Sequence, residues 1–528
     1  MIVGHLHSLV SQAYRKIFNE TPPKFEIGRA KLSIFGDFSS NIAMIAAAEH
    51  EMSPIMLAQK LVAELEQTGV FKNVSVSSPG FINFTVTDSH LLDVVGQIIK
   101  SPDKFGRSDL GSEIRVLLEY VSANPTGPLT LANGRGAFVG ETLARVLELY
   151  GCTVMREYYV NDRGGQVDIL GHSVLKDEKK EYNGKYIDEL AKKIKKTDPR
   201  EVGEIASAYI LEHDIKPVLR TLGIDFHQFF SEKSLYKTGV AKRIQEILSA
   251  RGLTYEADGA MYLNTTRYGD DKDRVLIKSD KDETYFLSDI AYHAYKIQRG
   301  YHRLINVVGA DHYTYTKQLQ MIVNAVLRDE FTWGGSLDWV ITQIVRLIQD
   351  GKEVKMSKRT GTYIPLDDLL DELSPDIVRF FFLSKSVDTH LDFDMDLAKS
   401  SSNQNPVYYI QYAYARISSI FRQFSREEDF ALPEKIMITH PVERQLLLRL
   451  LQFPDLIEEI AGDLQVHKLP NYVTLLATDL HSFYEKLRVK DEPLEIANSR
   501  LAILKATSLT MKKALDLMGI TAPSRMVR

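Results

Sequence analysis

The sequence has a single cysteine, Cys152, in 528 residues, which excludes an internal disulfide framework and any cysteine-rich zinc site. It also lacks an apolar run approaching the roughly 18–20 residues that a membrane span needs. The opening MIVGHLHSLVSQAYRK has the periodicity of an amphipathic helix and no apolar core of a secretion signal. Excess positive charge is missing as well. A net charge of −5 gives no bulk attraction to nucleic acid, although a local basic face would suffice for an RNA partner. There is no internal repeat and no low-complexity stretch. What remains is ordinary: 44 % hydrophobic and 26 % charged residues, as in a globular protein. At this length three or four folding units are expected. The composition predicts a cytoplasmic, multidomain, mixed α/β protein with no bound metal and no membrane contact.

The first hundred residues alternate helix and strand patterns. Helices are predicted over Asn41–His50 and Pro54–Gln67, a strand over Val74–Ser77, a turn at Pro79-Gly80 and an alternating strand over Phe81–Val86. This reads as a small α+β domain, residues 1–108, closing in the polar stretch Ser101–Ser112. The β-branched run Ile114–Val121 then predicts a buried parallel strand. A turn-rich loop, a helix from Gly134 to Tyr150 and a strand over Thr153–Tyr159 follow it. Strand, loop, helix and strand make the unit of a doubly wound parallel nucleotide-binding sheet, assigned to residues 109–393. Further strands are expected at Val275–Ile277 and Leu304–Val308. Residues 176–255, rich in lysine and glutamate, read as a helical insertion lying on that sheet. Beyond Asp394 only helical periodicity remains, over Val407–Phe421, Val442–Leu451, Val473–Leu487 and Ile496–Met518, so residues 394–528 are expected to form an all-α bundle.

A parallel strand feeding a glycine-containing loop and a helix N-terminus is a ready anion site. Here that junction runs from Pro128 through Thr130, Asn133, Gly134 and Gly136. Gly134, Gly136 and Gly140 are equally consistent with close packing. A dinucleotide fingerprint fails, because the third glycine is not at its offset and no acidic strand end follows.

The longer string Glu119-Tyr-Val-Ser-Ala-Asn-Pro-Thr-Gly-Pro128 resembles the segment before the ATP-binding His-x-Gly-His signature of bacterial arginyl-tRNA synthetases, which are class I enzymes. The resemblance continues through Gly36-Asp37-Phe38-Ser39 and Gly80-Phe81-Ile82-Asn83-Phe84, similar to that family's N-terminal tRNA-contacting domain. Glu157–Asp162, Ser288–His293 and Gly309-Ala-Asp311-His312 resemble its catalytic core. Asn405-Pro-Val-Tyr-Tyr-Ile-Gln-Tyr412, with Arg416, resembles the start of its anticodon-binding helices. The resemblance implies ATP-dependent activation of L-arginine and transfer to tRNA(Arg). ATP with Mg2+ would be a substrate, no other cofactor would be bound, and the enzyme would be a monomer.

One signature departs from the family. Thr130-Leu131-Ala132-Asn133 stands where His-x-Gly-His is usual. Thr130 and Asn133 can donate hydrogen bonds to phosphate but cannot carry charge, and Ala132 replaces the glycine against which adenine packs. With Gly134 they make the expected ATP-contacting set. Lys355-Met356-Ser357-Lys358-Arg359, in a region around residues 340–393, resembles the second signature. A flexible ammonium can follow the phosphates into the transition state, and the resemblance makes Lys358 the main catalytic lysine, assisted by Lys355, with Met356 and Ser357 beside ATP.

Selection of free arginine requires a carboxylate for its guanidinium. Tyr285 and Asp289, four residues apart, share one helix face, although Asp289 could instead cap the helix. The resemblance implies Asp289 as the guanidinium partner and Tyr285 as the wall of its pocket. It also implies Glu119, Ser122 and Asn124 at the amino and carboxylate ends, with Asp311 and His312 at the mouth of the sheet. A core histidine is the alternative for His312. Phe81 and Asn83 would stack on and hydrogen-bond an unstacked tRNA base; an inward-facing Phe is the alternative. Two rival functions stay open: a catalytically impaired paralogue that only binds tRNA, and a dinucleotide-dependent oxidoreductase.

Overall fold

The computed structural model describes residues 2–30, 33–66, 71–354, 365–424 and 430–526. Helix Ile2–Phe18 presents the periodic apolar face expected of the opening segment and buries Leu6, Val10 and Tyr14 completely. It packs on a four-stranded antiparallel sheet made of Ile27–Arg29, Phe38–Ser40, Phe81–Val86 and Phe71–Ser77, in that spatial order. Ser53 caps helix Pro54–Leu65 by accepting from the Met56 amide (3.3 Å), the usual work of a serine before a helix-starting proline. The predicted helix over Asn41–His50 is only a short α-helix, Ile42–Ala46, followed by a 3-10 turn to His50.

The second unit is a parallel five-stranded sheet flanked by helices. Its strands in chain order are β1 (Arg115–Glu119), β2 (Thr153–Val160), β3 (Gln228–Ser231), β4 (Arg303–Gly309) and β5 (Ser336–Thr342), and their spatial order is β5-β4-β1-β2-β3. Val116, Leu117 and Leu118 are wholly buried, because helices cover both faces; a continuous apolar run is what such a strand requires. Helix α1 (Leu131–Leu149) crosses from β1 to β2. Gly140 lets it approach the sheet, since a Cβ there would sit 2.3 Å from the Tyr120 ring. Helix α2 (Tyr285–Gln298) precedes β4, and helix α3 (Tyr313–Ile322) follows it.

Two expectations are corrected. Residues 176–255 are not simply an insertion, because β3 lies inside that segment and pairs with β2 through Tyr158–Phe229 and Tyr159–Phe230. Four residues with two adjacent phenylalanines carry too little alternation to stand out among helices. Arg274–Ile277 is a strand, but it belongs to a separate antiparallel sheet with Ala260–Leu263 and Thr254–Ala257.

The third unit is all helix: Pro406–Gln423, Pro441–Leu451, Phe453–Asp463, Lys468–Lys486 and Leu494–Met518. The last helix is moored to the rest of the chain. Lys513 Nζ donates to the carbonyls of Pro102, Asp103 and Phe105, each at 2.8 Å. Arg145 and Arg379 donate to the carbonyls of Asp516 (2.8 Å) and Met518 (3.1 Å) at its C-terminal end, where the helix dipole favours cations. Among the described residues no helix is long and apolar enough to cross a membrane.

Candidate active site

In a doubly wound sheet the chain leaves β1 to one side and β4 to the other, opening a crevice beyond their C-terminal ends. A cleft of about 870 Å³ lies there. Its wall combines the loop after β1, the start of α1, the cleft face of α2 and the segment after β4.

The tip of β1 is strained. Val121 (φ 66°) and Ser122 (φ 36°) both occupy the left-handed region, which is unfavourable for a β-branched residue. The Ser122 amide donates to the Tyr120 carbonyl across this three-residue turn (2.9 Å). The turn aims the Ser122 hydroxyl at Glu119 Oε1 (3.0 Å), while Ser122 Oγ itself accepts from the Tyr159 amide (3.0 Å). Glu119 Oε2 accepts from Lys296 Nζ, a fully buried ammonium that also donates to Asn306 Oδ1 (2.8 Å).

On the α2 side of the cleft, the helix begins after Thr284, so Asp289 stands more than one turn inside it and does not cap it. Tyr315 donates its hydroxyl to Asp289 Oδ2. Desolvation, then the charge of Glu119, pushes the Asp289 carboxyl up to about 7, against the opposing pull of Tyr315 and Lys296. Glu232, buried behind this wall, is likewise raised to about 7, chiefly by burial, with Asp289 and Asp162 adding repulsion. The Tyr285 ring is exposed at the rim beside Gly164. This side is therefore a desolvated site with more carboxylate than cation, and a cationic ligand would relieve it.

At the start of α1, Thr130 is the N-cap and closes a capping box with Asn133. Its hydroxyl donates to Asn133 Oδ1 (2.8 Å) and accepts from the Asn133 amide (3.4 Å); its own amide also donates to Asn133 Oδ1 (2.9 Å). The two side chains expected to reach phosphate thus engage each other. Asn133 lines the cleft, and its side-chain Nδ2 and the helix N-terminus remain as donors. Ala132 and Gly136 line the cleft, whereas Gly134 faces away: a Cβ there would meet the Leu366 side chain at 2.8 Å. Lys355, Met356, Ser357 and Lys358 lie outside the described residues. Next to them, Val354 is held to the Leu347 carbonyl (2.9 Å), and Leu366 to the Leu129 carbonyl (2.8 Å) beside Thr130.

Asn124, Asp311 and His312 line the cleft. Asp311 and His312 are exposed and face each other at 3.6 Å, so His312 is not a core histidine. Phe81 and Asn83 lie in the N-terminal sheet. Phe81 is half-buried; Asn83 is buried and donates to the Ser77 hydroxyl (2.9 Å). Lys296, Tyr315 and Glu232 were not anticipated. For Lys296 the signal was present, since Asp289, Tyr292/His293 and Lys296 recur at helical spacing on one face of α2.

Three families match successive parts of the chain. Residues 4–86 match the arginyl tRNA synthetase N terminal domain, residues 95–204 and 213–378 the class I (R) tRNA synthetase catalytic domain, and residues 410–526 the DALR anticodon binding domain. The chain is similar to an arginine–tRNA ligase of Aquifex aeolicus, 37 % identical over 580 residues, with 98 % of this chain and 99 % of that one covered. It is 40 % identical to one of Shouchella clausii over 521 residues, covering 93 % and 92 %. The chain belongs to the arginyl-tRNA synthetase family. Its fold is that of the Thermus thermophilus arginyl-tRNA synthetase, with a TM-score of 0.79, 20 % identity and full coverage of both chains. Membership places the parallel sheet in the catalytic domain and the C-terminal helical unit in the anticodon-binding domain.

Proposed function

We propose that the cleft activates L-arginine with ATP and that the chain passes the arginyl group to tRNA(Arg), as an arginine–tRNA ligase. The observation that carries the arginine assignment is the pair of carboxylates lining one cleft: Asp289 for the guanidinium, with Tyr285 over it, and Glu119, clamped by Ser122, for the α-ammonium. Asn124 and the rim residues Asp311 and His312 serve the carboxylate end and the nucleotide. The arginine carboxylate attacks the α-phosphorus of MgATP, and the bond to the β-phosphate bridge breaks, releasing pyrophosphate. A tRNA ribose hydroxyl then attacks the activated carbonyl and AMP leaves.

Neither Thr130 nor Asn133 carries charge, so stabilisation of the departing pyrophosphate falls to the α1 N-terminus, the Asn133 amide, Lys355 and Lys358. Phe81, with Asn83, is assigned to an unstacked tRNA base, and the chain to a cytoplasmic monomer. The test is charging of total tRNA with arginine and ATP, together with arginine-dependent pyrophosphate exchange with and without tRNA. The family resemblance implies exchange only when tRNA is present. A wild-type protein that binds tRNA but charges none of it would instead be the impaired paralogue.

A further inference from the structure

We infer that Lys296 is a positioning residue for arginine: its buried ammonium holds the Glu119 carboxylate oriented toward the substrate's α-ammonium. The inference rests on the reading of Glu119 given above.

Lys296 is wholly inaccessible to solvent. A lysine is rarely buried without a paired carboxylate, because desolvation disfavours its charge. Here the ammonium has Glu119 Oε2, Asn306 Oδ1 (2.8 Å) and the face of Tyr292, whose centroid lies 4.1 Å away. Asn306 is itself fixed, since its amide nitrogen donates to His293 Nε2 (3.0 Å), while His293 Nδ1 donates to the Asp289 carbonyl (2.9 Å). That pattern needs a neutral imidazole, and burial pushes the His293 pKa well down. The chain of contacts therefore runs from the helix turn that carries Asp289 to the Glu119 carboxylate.

The charged and titratable neighbours identify what Lys296 does. On its own helix are Asp289, Tyr292 and neutral His293. From β1 comes Glu119, and from β2 come Tyr159 and Glu157. Glu157 already has Arg299 (2.6 Å) and the Tyr292 hydroxyl (2.7 Å). Arg299 is also committed to Gln228 (3.0 Å). Among the described residues, Lys296 is the cation in contact with Glu119. Ser122 holds Oε1, and among the described residues only Lys296 holds Oε2. With both oxygens engaged, the plane of the carboxylate is set and further lone pairs stay open to the substrate.

The test compares Lys296→Met, Glu119→Gln and the double variant with wild type in tRNA charging, recording the arginine and ATP KM. Lys296→Met should raise the arginine KM at least about tenfold. The ATP KM should stay within about twofold. An unchanged arginine KM, or an equal rise for ATP, would show a merely structural lysine and overturn the inference. The double variant should match Glu119→Gln in arginine KM to within about threefold, because Lys296 acts through Glu119. A much larger loss in the double overturns it. This arm decides even if Lys296→Met alone fails to fold, since removing both charges leaves no lone buried ion. If Glu119→Gln leaves the arginine KM unchanged, the reading of Glu119 itself fails.

Discussion

Replacing Asp289 with asparagine keeps the shape of the side chain and removes the charge that faces the guanidinium. Truncating one partner of a desolvated, hydrogen-bonded charge pair costs about 2–5 kcal/mol, so the arginine KM should rise between about 30-fold and several thousand-fold, at 1.4 kcal/mol per decade. The raised pKa adds a signature in pH. With the carboxyl near 7, roughly one free enzyme in ten has it ionised at about pH 6, so the wild-type arginine KM should be about tenfold higher there than on its alkaline plateau. Asp289→Asn should lose this limb, leaving only what Glu232 contributes. Stability moves the other way. The folded pKa lies above the unassociated value of 3.8, so the folded state binds the extra proton, and stability falls as pH rises from about 4 to about 7. Asp289→Asn should therefore melt above wild type at about pH 8, the gap closing toward pH 4. The assay is tRNA charging over that range, with the ATP KM as control and thermal melts of the unliganded proteins. An arginine KM within twofold of wild type at alkaline pH, with the acid limb intact, would refute the assignment.

Thr130→Ala removes the hydroxyl that closes the capping box and should cost about 0.5–2 kcal/mol, lowering both the melting temperature and turnover. Thr130→Ser should keep both, and equal melting of the two variants would show that the cap is idle. Lys358→Ala should lower kcat by about 100- to 1000-fold with little change in either KM, as for one lost transition-state donor; a loss of ATP affinity at unchanged kcat would make it a ground-state anchor. Gly140→Ala pushes a methyl into the Tyr120 ring and should cost about 1–3 kcal/mol. Because Tyr120 adjoins Glu119, the arginine KM should rise as well; an unaltered melt would contradict the contact.

How legible each part was depends on how local its physics is. β1 could be read because a strand covered on both faces must be apolar throughout, and α1 because its apolar positions recur at helical spacing. β3 could not: Gln228–Ser231 is too short for a pattern, and its partner in β2 lies some seventy positions earlier, as the His227–Arg156 contact shows (71 positions). That Asp289 and Tyr285 share one helix face was readable from their spacing. Lys296 shares the Asp289 face of α2 by spacing, but its partner Glu119 comes from β1, and Tyr315 gains meaning only when α3 is brought to α2, which no local spacing announces. Thr130 and Asn133 were read for their hydrogen-bonding atoms and their place in the signature. Their three-residue separation is also that of a capping box, and in this structure the helix uses those atoms first.

The order of strands in the central sheet has a consequence for the chain during its own synthesis. β1 is the middle strand and is translated first; β2 and β3 extend the sheet on one side before any of α2 exists. The opposite flank of β1 stays an open edge until β4 arrives, and the contact that marks its docking, Arg115 to His302, closes a loop of 187 positions. An open edge of that kind invites pairing with other chains, and closing it late is entropically slow. A nascent polypeptide that stops before α2 would thus carry Glu119 but neither Asp289 nor Lys296, with a hydrophobic strand uncovered on the side where arginine will bind. Arginine itself, supplied to ribosome-bound chains of increasing length, should begin to protect this domain from protease only after the segment through Tyr315 has left the exit tunnel.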